Sequence, residues 1–263
     1  MRENVLRSVF EHAQFVDSYI KMNDHGQRIF TALYGSQNYN LDTEYSDVDT
    51  KSFFIPSFPR LLFSKEPLSK TLTMLNRKEY SELKDVRLLT PILLKQGVNF
   101  LETLFTPYID IAIGYEDFYF NLISMREEIV HYDGERAIVS MCAQARQQCI
   151  TAFSESAYSS YEYNAKKIAS AYRMVRQAER YAQGYSFSEV LDGSSYRDTY
   201  LNIKNSGLSL KEARNFAADL YAKSSQLQAN YEAPEIDRGV QKKLEALVEE
   251  LAKEEYRIMR ERS

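Results

Sequence analysis

At 263 residues, with 44% hydrophobic and 27% charged side chains, the chain is long enough for a sizeable core and for two domains of ordinary globular composition. A net charge of −4 argues against nucleic-acid binding over the whole surface, while leaving room for a local basic groove. No apolar run approaches the roughly twenty residues of a membrane span, and charges are scattered through the N-terminal MRENVLRSVFEHAQF, so a cytoplasmic protein with no membrane partner is expected.

Residues 2–22 place Val5, Val9, Phe10, Phe15, Val16 and Ile20 at a rough helical spacing, ended by Asn23-Asp24-His25-Gly26. Ile29 to Tyr34, IFTALY, reads as a short buried strand running into a turn at Gly35-Ser36. Eleven residues after Ser36 comes Asp47-Val48-Asp49, which leads into the apolar FFI after Lys51. Alternate residues of an extended strand face the same side, so the two carboxylates lie together while Val48 turns into the core. Two anions held side by side invite a divalent cation. Gly35 has no Cβ, so a phosphate can approach its backbone, and the N–H groups that follow and the Ser36 hydroxyl can donate to phosphate oxygens.

Pro56 and Pro59 break the pattern, and two extended stretches follow, Thr71 to Leu75 and Tyr80 to Val86, joined by a polar turn at Asn76-Arg77-Lys78. They predict a hairpin added to the first two strands, giving a small mixed sheet. Leu88 to Phe105 returns to helical spacing, with Pro91 tolerable in a first turn. From Glu116 onward the pattern is almost wholly helical, over 116–131, 134–153, 158–182, 209–228 and 236–261, which predicts a helical bundle. The one turn-rich interruption is Asp192-Gly193-Ser194-Ser195. On the helix over 158–182, Lys166, Arg173 and Arg180 recur every seven residues on one face, with Arg176 one turn from Arg180. The last helix is amphipathic and is expected to pack on the bundle or on a second subunit as a homodimer. Cys142 and Cys149, seven apart on one helix, sit about 10 Å apart and cannot bridge, so they read as buried small apolar residues.

The order apolar strand, Gly35-Ser36, a gap, then Ser46-Asp47-Val48-Asp49 resembles the nucleotidyltransferase core of the DNA polymerase beta superfamily, chiefly over the first 105 residues. The resemblance implies an α+β fold, with a nucleotidyltransferase core over 1–110 and a helical domain over 111–263 that completes the nucleotide and acceptor site. It implies transfer of a nucleoside monophosphate from a triphosphate, with ATP the expected nucleotide, to an acceptor hydroxyl on RNA, protein or a small molecule, with two Mg²⁺ ions or Mn²⁺ in their place. Asp47, Asp49 and a third acid would ligate the metals. Glu79, Glu82 and Asp85 are the candidates for that acid, Asp85 being favoured and Glu82 held in reserve. Gly35 and Ser36 would hold phosphates, and Lys166 and Arg173 would face the nucleotide from the helical part. Glu102, in a family-like Asn-x-x-Glu-x-Leu-Phe pattern, is expected either at the site or as a buried partner of Arg87.

Two other readings remain open. Arg126 and His131 have the R-x₄-H spacing of an all-helical, HEPN-like ribonuclease family, in which the Arg would stabilise the phosphate and the His would act on the 2′-hydroxyl proton. Alternatively, the chain is a nucleotide-binding, antitoxin-like module whose transferase site no longer turns over.

Overall fold

The computed structural model describes residues 2–63, 66–74, 78–154, 163–236 and 238–262. Helix α1 (Arg2–Met22) leads into β1 (Gly26–Tyr34), a single 3₁₀ turn at Ser36–Tyr39, and β2 (Asp49–Pro56). Helix α2 (Phe58–Phe63), β3 (Ser69–Thr73) and β4 (Tyr80–Asp85) follow, then α3 (Leu89–Leu94), α4 (Val98–Leu101) and β5 (Ile109–Ile111). The remainder is helical: α5 (Glu116–Ser124), α6 (Arg126–Val130), α7 (Gly134–Ser154), α8 (Ala165–Ala182), α9 (Phe187–Leu191), α10 (Arg197–Lys204), α11 (Leu210–Asn230) and α12 (Gly239–Arg262). The fold is α+β.

The strands form one five-stranded sheet in the order β3-β4-β2-β1-β5. Every pairing is antiparallel except β2 with β4, so the sheet is mixed, and β3–β4 is the expected hairpin. The predicted turn residues Asn76 and Arg77 lie outside the described residues. Both faces are covered, which is why β2 is buried almost throughout. On one face Val16 and Ile20 of α1 meet Phe54, Leu72 and Leu83, and His12 Nδ1 lies 3.0 Å from the Thr50 hydroxyl. On the other face Phe30, Phe53 and Ile55 join the main core built with the later helices.

The predicted helix over Leu88 to Phe105 is instead two short helices and a 3₁₀ turn. Gln96 takes the left-handed conformation at φ 56°, and its buried amide donates to the Leu93 and Ile129 carbonyls, so the break is hydrogen-bonded in place. Pro91 does fall in the first turn of α3. The helix over 116–131 divides at Met125, and α8 begins at Ala165, capped by the Asn164 side chain; residues 158–162 of that prediction are not described. Helices α7, α8 and α11 pack together, with α10 against α8. Helix α12 returns to α3, α5 and α2, burying Val240, Leu244, Leu247 and Leu251. That part of its apolar stripe is therefore covered within the chain, while Ile236, just before the helix, is exposed. Cys142 and Cys149 are both buried and free, and burial pushes each thiol up to about 11. Among the described residues no helix is long and apolar enough to cross a membrane.

Candidate active site

The ends of β1 and β2 and the loop between them form one wall of a cleft of about 420 Å³. Gly35, Ser36, Asp47 and Asp49 line it, as the sequence predicts, together with Tyr34, Tyr39, Thr43, Tyr45 and Ser46. The alternation argument holds locally: Val48 is buried at 7% exposure, Asp47 is exposed and Asp49 half-buried. The Val48 N–H donates to Glu79 Oε1 at 3.2 Å, which ties the segment between the two aspartates to the start of β4. Asp49 Oδ1 accepts the Tyr80 N–H at 3.1 Å. Burial, with the Asp47 and Glu79 charges nearby, pushes the Asp49 carboxyl up to about 6 despite that hydrogen bond. Ser46, just before the first aspartate, closes its own turn by accepting the Thr43 N–H at 2.9 Å.

Gly35 has φ 107° and ψ −152°, a conformation in which an L side chain is strained, and a Cβ built there would meet nothing within 4 Å. Its missing side chain therefore leaves space at the turn. Its N–H, however, is spent inward on Glu102 Oε2 at 2.9 Å and is not offered to a ligand, whereas Ser36 lines the cleft. Glu102 is fully buried and also accepts from the Asn38 amide at 3.1 Å and the Tyr39 hydroxyl at 2.5 Å. It is thus a partner of the phosphate-loop candidate, not of Arg87.

The opposite wall comes from α8 and α10. Lys166, Ser170 and Arg173 face the cleft from α8; Tyr200 and Lys204 from α10, with Asn205 just after it. Arg173 lies over the Tyr39 ring at 4.3 Å and donates to Gln177 Oε1 at 3.3 Å. Partial burial and the Lys166 ammonium lower the Lys204 pKa. Two carboxylates thus face three cations, and crowding among the cations is relieved by an anion between them. The rest of the basic stripe is structural: Arg180 donates to the Glu189 and Asp192 carbonyls and to the Ser195 hydroxyl, and Arg176 pairs with Glu179. Sequence reasoning missed Lys204, Tyr200 and Asn205, whose only local signal is the i, i+4 spacing of Tyr200 and Lys204.

Asp85 does not belong to this group, which corrects its assignment as third metal ligand. Thr50 pairs with Ser81 and Phe54 with Asp85, so Asp85 shares the α1 face with Phe54 and Leu83 whereas Asp49 shares the other with Lys51 and Phe53. It also lies five residues down the strand pair, about 16 Å away. There it is 1% exposed and bound by the Arg87 guanidinium at 2.7 Å and the Arg87 N–H at 2.9 Å. The residue that follows the register beside Asp49 is Tyr80. Glu82 is on the cleft-side face one rung lower, closed off by Lys51 at 2.7 Å and Lys84 at 3.4 Å. Lys51 is itself buried between Tyr34 and Phe100, with its ammonium 3.8 Å and 4.1 Å from the two ring centres. Glu79 is engaged by the Val48 N–H and lies 3.5 Å from His12 Nε2.

Among the described residues no group of three or more His, Cys, Asp or Glu side chains is placed to hold a metal ion. Two adjacent carboxylates, one of them pushed up by burial and by its like-charged neighbours, nonetheless fit a Mg²⁺ ion that takes its remaining ligands from phosphate and water. The second ion of the two-metal expectation has no third carboxylate among the described residues. Arg126 and His131 are at the two ends of α6 with separate partners, Arg126 over Phe105 at 4.9 Å and His131 stacked on Tyr181 at 5.5 Å. Neither lines the cleft.

Neither a protein-family model nor a curated protein matches the chain. Among solved structures it is similar to one described as a nucleotidyltransferase-like protein from Exiguobacterium sibiricum, at 12% identity, over 83% of this chain and 74% of that one. The TM-score is 0.29, too low for that likeness to carry an argument, so the functional reading rests on the residues of the cleft.

Proposed function

We propose that the cleft binds a nucleoside triphosphate with Mg²⁺ and that the protein transfers the nucleotidyl group to an acceptor hydroxyl. The observation that carries this reading is the convergence of Gly35, Ser36, Asp47 and Asp49 on one wall of a single cleft with Lys166, Arg173 and Lys204 on the other. More than a hundred residues separate those two groups in sequence, and each alone is a weak signal.

In this reading Asp47 and Asp49 hold the metal. When bound, Mg²⁺ draws charge from the phosphate oxygens and lowers the pKa of the acceptor hydroxyl. Ser36 donates to the phosphates. Lys166, Arg173 and Lys204 neutralise the triphosphate tail and the charge that builds on the leaving pyrophosphate. The acceptor oxygen attacks the α-phosphorus in line, the bond to the β-phosphate oxygen breaks, pyrophosphate leaves with the electron pair, and the acceptor proton passes to water. RNA, protein and small-molecule acceptors all remain within the reading.

A second reading, a nucleotide-binding module of antitoxin-like type that does not turn over, is favoured by one observation. The described residues offer no third carboxylate.

Incubation with α- and γ-labelled nucleotides, Mg²⁺ and cell extract separates the two readings. Transfer predicts label from the α position only, lost in Asp47→Ala. Nucleotide binding without labelled product favours the binding module, and labelling by γ-phosphate overturns both.

A further inference from the structure

We propose that Glu102 is the positioning residue of the cleft, fixing the Gly35–Tyr39 turn directly and Arg173 through the Tyr39 ring, so that it governs phosphate binding without touching the ligand. The inference rests on the nucleotide reading above. Glu102 is 0% exposed and is not part of the cleft lining, yet it bonds the strand wall directly and bears on Arg173 of the helix wall through Tyr39. Its Oε2 takes the Gly35 N–H and the Asn38 amide; its Oε1 takes the Tyr39 hydroxyl. The Asn38 amide also donates to the Leu33 carbonyl at 2.9 Å, which pins the turn to the end of β1.

The consequence at Gly35 is conformational. A turn at φ 107° is open to glycine alone without strain, but glycine is also free to leave it, and a buried carboxylate on its N–H removes that freedom. The consequence at Arg173 is electrostatic and steric. Burial works against the charge of a guanidinium that is 9% exposed, and the Tyr39 and Tyr200 hydroxyls and then the Glu102 carboxylate favour it. The Tyr39 ring beneath that guanidinium is held in its plane by its bond to Glu102. A single buried acid thus sets the strand wall and the helix wall relative to each other.

The test uses the whole chain and inorganic tripolyphosphate with Mg²⁺ as the probe, read by calorimetry, beside hydrogen exchange over residues 35–41 and the thermal midpoint. Glu102→Gln is expected to weaken binding about ten- to a hundredfold, the usual consequence of losing a hydrogen bond to a charged group, and to speed exchange over 35–41. Tyr39→Phe keeps the ring and loses the donor, and is expected to move both readouts in the same direction by less. It carries the test if Glu102→Gln does not fold. Because Glu102 acts through Arg173, Glu102→Gln added to Arg173→Gln should weaken binding less than the sum of the two single losses. Fully additive losses, or unchanged exchange over 35–41, overturn the proposal. Wild-type protein that fails to bind the probe, while Glu102→Gln still speeds exchange, overturns the nucleotide reading instead and leaves Glu102 an anchor of the turn alone.

Discussion

Two aspartates on the same pair of strands have opposite surroundings. Asp85 sits on the α1 face, sealed from solvent, with a guanidinium and a backbone N–H on its carboxylate. Asp49 sits on the other face at the far end of the pair, half-buried, with the Tyr80 N–H as its hydrogen bond and Asp47 as a neighbour of like charge. The first is an acid whose charge is met by a guanidinium in direct contact; the second is disfavoured by burial and like charge, and Lys166 acts on it only across the cleft. That difference, rather than sequence spacing, makes Asp49 and not Asp85 the candidate for chemistry.

The sharpest way to break the comparison is to exchange the expected consequences. Asp47→Ala or Asp49→Ala should lower α-label transfer by roughly 10³-fold or more, with the thermal midpoint little changed, because the lost group acts on developing charge. Steady-state labelling checks the rate, and an intact rate in either variant ends the mechanism. Asp85→Asn should do the reverse. Leaving the Arg87 guanidinium without its buried partner should cost about 3 kcal/mol of stability in urea unfolding, with the transfer rate of the folded fraction retained. Loss of transfer without loss of stability would return Asp85 to the site.

The helix wall sharpens the same contrast at a smaller scale. Among the described residues Lys166 and Lys204 form no close ion pair, and the charge of Lys166 reaches Asp49 only across the cleft. Lys166→Ala or Lys204→Ala should each weaken nucleoside triphosphate binding about tenfold, more at low salt than at high, measured by titration at two ionic strengths. Arg176→Ala, which loses only the pairing with Glu179, should leave affinity unchanged.

What was legible in the sequence was what is local. Gly35-Ser36 and the Asp47/Asp49 alternation need only a turn and a period of two, and Lys166 with Arg173 needs only the period of one helix. The third acid was misread because the face of β4 is fixed by its register with β2, a contact between distant segments. The alternation still held a warning, since Asp85 has the same parity as Leu83, which is buried. The choice left open for Glu102, between the site and Arg87, could not be made from sequence for a similar reason: its donors at Gly35, Asn38 and Tyr39 lie more than sixty residues upstream. Lys204 follows a turn-rich segment and reaches the cleft only because α10 packs on α8.

The smallest expected effect tests the imbalance at Asp49 without any turnover. Its folded pKa of about 6 is raised above the ordinary carboxylate value, so the folded state holds a proton that the unfolded chain has already released. The contribution to stability is present in full below about pH 4 and is lost as pH rises through 6, where ionised Asp49 becomes a liability. Asp49→Asn should therefore stabilise the metal-free protein at pH 8 by about 1 kcal/mol, a figure reduced for the group's partial solvent screening, and by nothing near pH 4. Added Mg²⁺ should raise the wild-type midpoint at pH 8 and close the gap, because an ion bound only to the folded state offsets the repulsion between Asp47 and Asp49. A gain from Asp49→Asn that is the same at both pH values, or that Mg²⁺ leaves unchanged, would mean that the two aspartates are not the metal pair their surroundings describe.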